Sequence, residues 1–119
     1  MGYTFSMGEA QPKKIVMYAK PKGSAPFEDW LRGLRDAQAR ARIRVRIDRL
    51  SLGNAGDSRA VGGGVWELRI DYGPGYRVYY AQSGTDIILL LCGGDKTTQT
   101  ADIRLAQAYW AEYQLRRRP

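Results

Sequence analysis

RARIRVRID, residues 40–48, sets arginine at every second position between aliphatic residues, and its reading decides whether the middle of the chain is sheet or helix. At a period of two it is a strand with one cationic face. At a period of 3.6, Ala39, Ile43, Ile47 and Leu50 form one apolar stripe, flanked by Arg40 and Arg44 on one side and by Arg42, Arg46 and Arg49 on the other. Both periods fit. Length favours the helix, because the pattern runs from about Ala37 to Leu52 and stops at Gly53-Asn54, which suits a helix with a C-terminal glycine. The helical reading leaves Val45 on the outer face and sets Asp36 and Arg40 as an i, i+4 pair.

Working outward, Lys14 to Ala19 (KIVMYA) reads as a strand closed by Lys20-Pro21-Lys22-Gly23. Ser24 is placed to cap a helix that follows, with Pro26 in its first turn, Glu28 and Asp29 near its positive end, and Phe27, Trp30, Leu31 and Leu34 on one face. That helix is expected to end near Asp36. Asn54 to Gly64 reads as a glycine-rich loop without regular structure. Val65 to Asp71 alternates as a half-buried strand, Tyr72-Gly73-Pro74-Gly75 turns, and Tyr76 to Gln82 returns as the second arm of a hairpin. Asp86 to Cys92 is apolar at nearly every position, as expected of a strand central in the sheet and covered on both faces. Gly93-Gly94-Asp95-Lys96 is expected to break it. A last helix runs from about Thr98 to Leu115, burying Ile103, Ala106, Trp110 and Tyr113, with the Arg116-Arg117-Arg118 tail meeting its negative end.

The chain has 119 residues, 44% of them hydrophobic, which suits one domain over residues 14–119 behind a flexible extension at 1–13. The longest apolar run, Ile87 to Cys92, is far too short to span a bilayer, and the first residues lack a signal-type apolar core, so a cytoplasmic protein is expected. Without histidine, and with one cysteine read as a buried packing thiol, zinc sites and Ser-His-Asp or Cys-His chemistry are disfavoured. No metal or cofactor is expected. A net charge of +7, carried by 14 arginines and 5 lysines against 12 acids, points to a polyanionic partner such as nucleic acid, the ribosome or an acidic protein.

The hairpin carries the sharpest constellation. With Trp66, Leu68 and Ile70 facing the core opposite Tyr76, Val78 and Tyr80, the residues Glu67, Arg69, Arg77 and Tyr79 share the other, solvent-side face. Two arginines then stand nearly opposite each other. Like charges so placed destabilise a ladder by a few tenths to about 1 kcal/mol and call for a compensating anion, either Glu67 or a ligand phosphate. The structural alternative is a plain Glu-Arg cluster. Such a face suits RNA cleavage by the 2′-hydroxyl, in which cations stabilise the phosphorane while one group takes a proton and another gives one. Glu67 is a candidate base, and Tyr79 or Lys96 a candidate donor. Gly93 to Thr98 offers a second phosphate contact through Lys96 and free helix N–H groups, with an ordinary turn as the rival reading.

Three motifs, Glu67-Leu68-Arg69, Gly73-Pro74-Gly75-Tyr76-Arg77-Val78-Tyr79-Tyr80, and Gly93-Gly94-Asp95-Lys96 with Gln99 and Asp102-Ile103 beyond it, resemble the RelE/ParE superfamily of bacterial toxin-antitoxin toxins. The likeness extends from about Ile15 to Tyr113 and is greatest to the phage-derived, HigB-like addiction-module killer branch. The resemblance implies an α+β fold of order β-α-α-β-β-β-α, a small, mostly antiparallel sheet with an N-terminal helical hairpin and a C-terminal helix. It therefore makes residues 40–48 helical. It further implies a type II toxin acting as a metal-independent, ribosome-dependent mRNA endoribonuclease that arrests growth. An antitoxin partner is implied with it, bound as a hetero-oligomer. Arg69 and Arg77 would contact the scissile phosphate, Glu67 or Tyr79 would handle protons, and Lys96 would add a cation. Arg40, Arg42, Arg44, Arg46, Arg49, Arg116 and Arg117 would contact RNA or the ribosome. The aromatic proton acceptor near the C-terminal end of RelE is missing, with Asp102 at about that place. Other members poison DNA gyrase without cutting RNA, which keeps a non-catalytic inhibitor as the alternative.

Overall fold

A computed structural model describes residues 12–118. The order is β1 (Lys14–Met17), α1 (Pro26–Gly33), α2 (Ala37–Ser51), β2 (Ser58–Gly62), β3 (Val65–Ile70), β4 (Tyr76–Ser83), β5 (Ile87–Asp95), a 3-10 turn (Lys96–Thr98) and α3 (Gln99–Arg116). Residues 40–48 are helical. The sheet order is β1-β5-β4-β3-β2, with β1 parallel to β5 and every other pair antiparallel. The fold is thus the expected α+β type, one strand larger than foreseen.

The sheet is sandwiched. On one face α1 and α2 pack Phe27, Leu31, Ile43, Ile47 and Leu50 against Leu68, Ile70, Val78, Tyr80, Ile88 and Leu90. On the other, α3 lays Ala106, Ile103, Tyr109, Trp110 and Tyr113 over Val65, Tyr79, Ala81, Leu89, Leu91 and Cys92. An eight-residue helix such as α1 is not stable alone, so Phe27 and Leu31, at about 1.5–3 kcal/mol of burial each, hold it in place. Central β5 is buried on both faces, as its unbroken apolar run requires. Cys92 is a buried free thiol. Among the described residues no helix is long and apolar enough to cross a membrane.

Several local expectations are corrected. Residues 54–64 are not all loop: β2 pairs with β3, Gly62 opposite Val65, across Gly63-Gly64. Those two glycines adopt φ of 64° and 85°, the left-handed backbone that a two-residue hairpin turn demands, so they make a turn rather than preventing a strand. Gly93 and Gly94 do not break β5 but pair with Val78 and Arg77 inside it. A bulge between Tyr79 and Tyr80 reaims that end of the strand. A Cβ at Gly93 would enter the ring of Trp30, and one at Gly94 would collide with the Asp102 carboxylate. Gly93→Ala is therefore expected to destabilise the fold by about 1–3 kcal/mol, lowering the midpoint of thermal unfolding.

Ser24 does not cap α1, whose N-cap is Ala25 without a side-chain bond. The first strand stops at Met17 and α1 at Gly33, short of Ala19 and Asp36. Asp36 forms no ion pair with Arg40; its carboxylate accepts from the Gln38 and Ala39 N–H groups and so caps α2, while Arg40 donates to the Leu34 carbonyl. Trp66 sits on the expected face opposite Tyr80 but remains 43% exposed. Of the proposed N-terminal extension, residues 1–11 lie outside the described residues.

Candidate active site

The hairpin register sets Glu67 opposite Tyr79 and Arg69 opposite Arg77, so all four side chains share one face, as the alternation implied. That face is not the open solvent side. Helix α3 covers it, leaving Glu67 and Tyr79 without exposure and the Arg77 side chain only 7% exposed.

Glu67 is the hub of the arrangement. Its Oε1 accepts from Arg59 Nε at 3.0 Å, and its Oε2 accepts from Gln99 Nε2 at 2.8 Å and from the Tyr79 hydroxyl at 3.0 Å. Arg77 Nε lies 3.8 Å from the same oxygen, close enough for charge attraction but too far for a hydrogen bond. Burial pushes the Glu67 carboxyl up, but the bonds from Gln99, Arg59 and Tyr79 and the charge of Arg59 outweigh it and hold the group below the ordinary range. Tyr79 moves the other way, driven up by burial and by the adjacent Glu67 charge. The pair is therefore a carboxylate and a neutral phenol locked together.

The arginines are less well matched. The Nε atoms of Arg69 and Arg77 are both buried without a hydrogen-bond partner among the described residues. Buried donors in this condition are rare and costly, at about 1–3 kcal/mol each. Arg77 Nη1 reaches the Gly75 carbonyl at 3.5 Å. The Lys96 stem flanks the same glycine, so Arg77 and Lys96 converge on the β3–β4 turn. The N–H groups after β5 are not free: Asp95 accepts from Thr97 N at 2.8 Å and from Thr97 Oγ1 at 2.5 Å, closing the turn on itself. These Thr97 bonds, chiefly the one from its hydroxyl, lower the Asp95 pKa. Asp102 accepts from Thr98 Oγ1 at 2.5 Å rather than from either arginine, and is pushed up by burial.

Residues 29–110 match the family described as Phage derived protein Gp49-like (DUF891). The chain belongs to that family. It is also 48% identical over 86 residues to a Haemophilus influenzae protein described as "Uncharacterized protein", a match covering 72% of this chain and 87% of the relative. The Gp49-like family is associated with the toxins of toxin-antitoxin systems, and such a toxin implies an antitoxin partner.

The remaining cations of this Gp49-like chain divide by what they touch. Arg46 donates to the carbonyls of Arg69 (2.5 Å), Ala55 (3.2 Å) and Asp57 (3.3 Å), stapling α2 to the strand that carries the site. Arg40 binds the Leu34 carbonyl, and Arg42 stacks over the Tyr72 ring at 4.6 Å. Arg116 pairs with Glu112 at 2.6 Å and donates to the Ala19 carbonyl, while Arg117 lies over Tyr113. Arg44 and Arg49 are exposed. Of the hub, Arg59 escaped the sequence reading, and Gln99 entered it only as part of the family motif, without a role. Arg59 would have been found had Ser58–Gly62 been read as a strand, since it pairs directly with Glu67; the motif that names Gln99 does not tell that it reaches Glu67. Among the described residues no three His, Cys, Asp or Glu side chains gather as a metal cage.

Proposed function

We propose that this chain is a RelE/ParE-type, HigB-like toxin that cleaves messenger RNA on the ribosome, with Arg69 and Arg77 as the phosphate-binding pair. The single observation that carries the reading is the register-matched arginine pair whose buried Nε groups lack acceptors. A phosphodiester supplies acceptors in number, and the charge it gains at the phosphorane is what fixed guanidinium groups stabilise best. In the reaction the 2′-hydroxyl gives up its proton as its oxygen attacks phosphorus, the P–O5′ bond breaks, the 5′-oxygen takes up a proton, and a 2′,3′-cyclic phosphate remains, with water or ribosomal groups exchanging both protons.

Lys96, on the exposed turn beside Arg77, would hold a neighbouring phosphate. Glu67 and Tyr79 are sealed beneath the surface, and the donors that hold the Glu67 carboxyl below its ordinary range make it a weak base. Their proposed role is to hold Arg77 in place and limit its freedom. The chain then contributes charge and orientation more than proton transfer, and the ribosome contributes alignment of the 2′-oxygen, which is worth several kcal/mol. The same sealing favours, as a second reading, a non-catalytic inhibitor of gyrase or another protein.

Mapping RNA ends after induction in a bacterial host separates the two readings. Discrete cuts within translated messages are expected; growth arrest with intact messages and broken DNA would turn the assignment to the inhibitor.

A further inference from the structure

Helix α3 ends in an aromatic column. Trp110 and Tyr113, three residues apart on one side of the helix, stack with ring centroids 5.7 Å apart and planes inclined at 16°. Arg117, one turn further on, lays its guanidinium over the Tyr113 ring at 5.4 Å. Together with Gln82, Gln114 and Arg118, the column lines a recess of about 700 Å³ between the end of α3 and the β4–β5 turn. Its walls are pinned. The Tyr113 hydroxyl lies 3.3 Å from Ser83 Oγ, and Gln82 Nε2 donates to the Gly84 carbonyl at 3.2 Å. Among the described residues no acidic side chain lines the recess, and neither Arg117 nor Arg118 joins an ion pair. Arg116 stands apart from it, committed to Glu112 and to the Ala19 carbonyl.

We propose that this recess binds an unpaired nucleotide of a single-stranded RNA. Its base would extend the column by stacking on the Arg117 plane, since a stacked guanidinium still offers its in-plane N–H groups to a phosphate. Arg118 would meet the next phosphate, while the amides of Gln82 and Gln114 face the base edge. The carbonyl end of a helix repels anions by itself, and the two arginines reverse that sign. A duplex keeps its base faces stacked inside, and an acidic peptide brings carboxylates but no flat group to continue the column. The recess is separate from the proposed cleavage centre: Gln99, which touches Glu67, and Arg117 stand about 27 Å apart along α3. The inference therefore concerns binding and stands independently of cleavage.

The test measures, by fluorescence anisotropy, binding of a labelled single-stranded RNA of about ten nucleotides, a length within the usual site size, to the full chain carrying Arg77→Ala, so that no cut intervenes. Adding Tyr113→Leu, with folding checked by a thermal melt, is expected to weaken the strand about tenfold. Arg117→Lys, at an exposed position, keeps the charge but loses the plane; it is expected to weaken the strand about fivefold with the salt dependence unchanged. An RNA duplex of the same length should bind more weakly and respond to neither change. Undiminished strand affinity in Arg117→Lys overturns the site, as do equal losses for strand and duplex, which would mean charge attraction alone. A mononucleotide binding as tightly as the strand also overturns it, assigning the recess to a free nucleotide. None of these outcomes bears on cleavage, which the mapped RNA ends decide.

Discussion

Arg77→Ala is expected to abolish growth arrest while leaving a cooperatively folded protein. Arg77 stands in the floor of the site with its Nε unpartnered, opposite Arg69. Removing a fixed donor of this kind costs about 10²–10³ in rate, because nothing mobile replaces a charge already in position. The fold should survive the change. Glu67 keeps three of its neighbours, Arg59, Gln99 and Tyr79, and the like-charge contact with Arg69 is relieved. Induction of the variant with a thermal melt of the purified protein checks both halves; full arrest by a folded variant removes Arg77 from the reaction.

The second large effect is on stability. Glu67→Ala strips the shared acceptor from Arg59, Gln99 and Tyr79 and leaves Arg77 buried without its counter-charge. Breaking a buried ion pair from one side costs about 3–5 kcal/mol, which in a domain of this size lowers the unfolding midpoint by roughly 10–20 °C. Glu67→Gln keeps an acceptor oxygen and should lose less. It should also change the response to acid. The Glu67 carboxyl lies below its ordinary 4.5 in the folded chain, so its contribution is complete above that value and drains away as pH falls through the lower, folded one. Melts between pH 5 and 3 are thus expected to fall more steeply for the wild type than for Glu67→Gln. Asp36 and Asp95, held low by the Tyr72 and Thr97 hydroxyls, leave a residual slope in both. Parallel slopes would mean that Glu67 is not held ionised by the hub.

Much of this was legible in the residues themselves. Alternation along residues 65–80 fixes which side chains share a face, because a one-residue slip would turn Leu68 and Ile70 to the wrong side; the turn at residues 72–75 then sets the register that pairs Arg69 with Arg77 and Glu67 with Tyr79. What the face meets was not legible. Alternation distinguishes two faces but does not tell whether the second one is wet, and here α3 covers it. Glycine misled at Gly93 and Gly94: it permits turns, yet here it is required by close neighbours, Trp30 from the distant α1 and Asp102 from the helix that follows. The arginines of α2 advertised charge but not engagement. Arg46, expected among the RNA- or ribosome-contacting arginines, is a main-chain clamp in the fold.

The division of labour that emerges is a buried anionic hub beside cations on two interior strands of the sheet, with α2 supporting β3 from behind. It explains why two arginines tolerate facing each other across a ladder, an arrangement that stability alone would disfavour.

The most direct measurement is single-turnover cleavage of a message bound to programmed ribosomes, using the wild type, Arg77→Ala, and a message carrying one 2′-deoxynucleotide at the cut. One discrete cut by the wild type is expected, slowed about 10²–10³-fold by Arg77→Ala and absent from the deoxy message. Equal rates for the two proteins, or cutting of the deoxy message, would contradict a cation pair acting on a phosphorane formed by the 2′-oxygen.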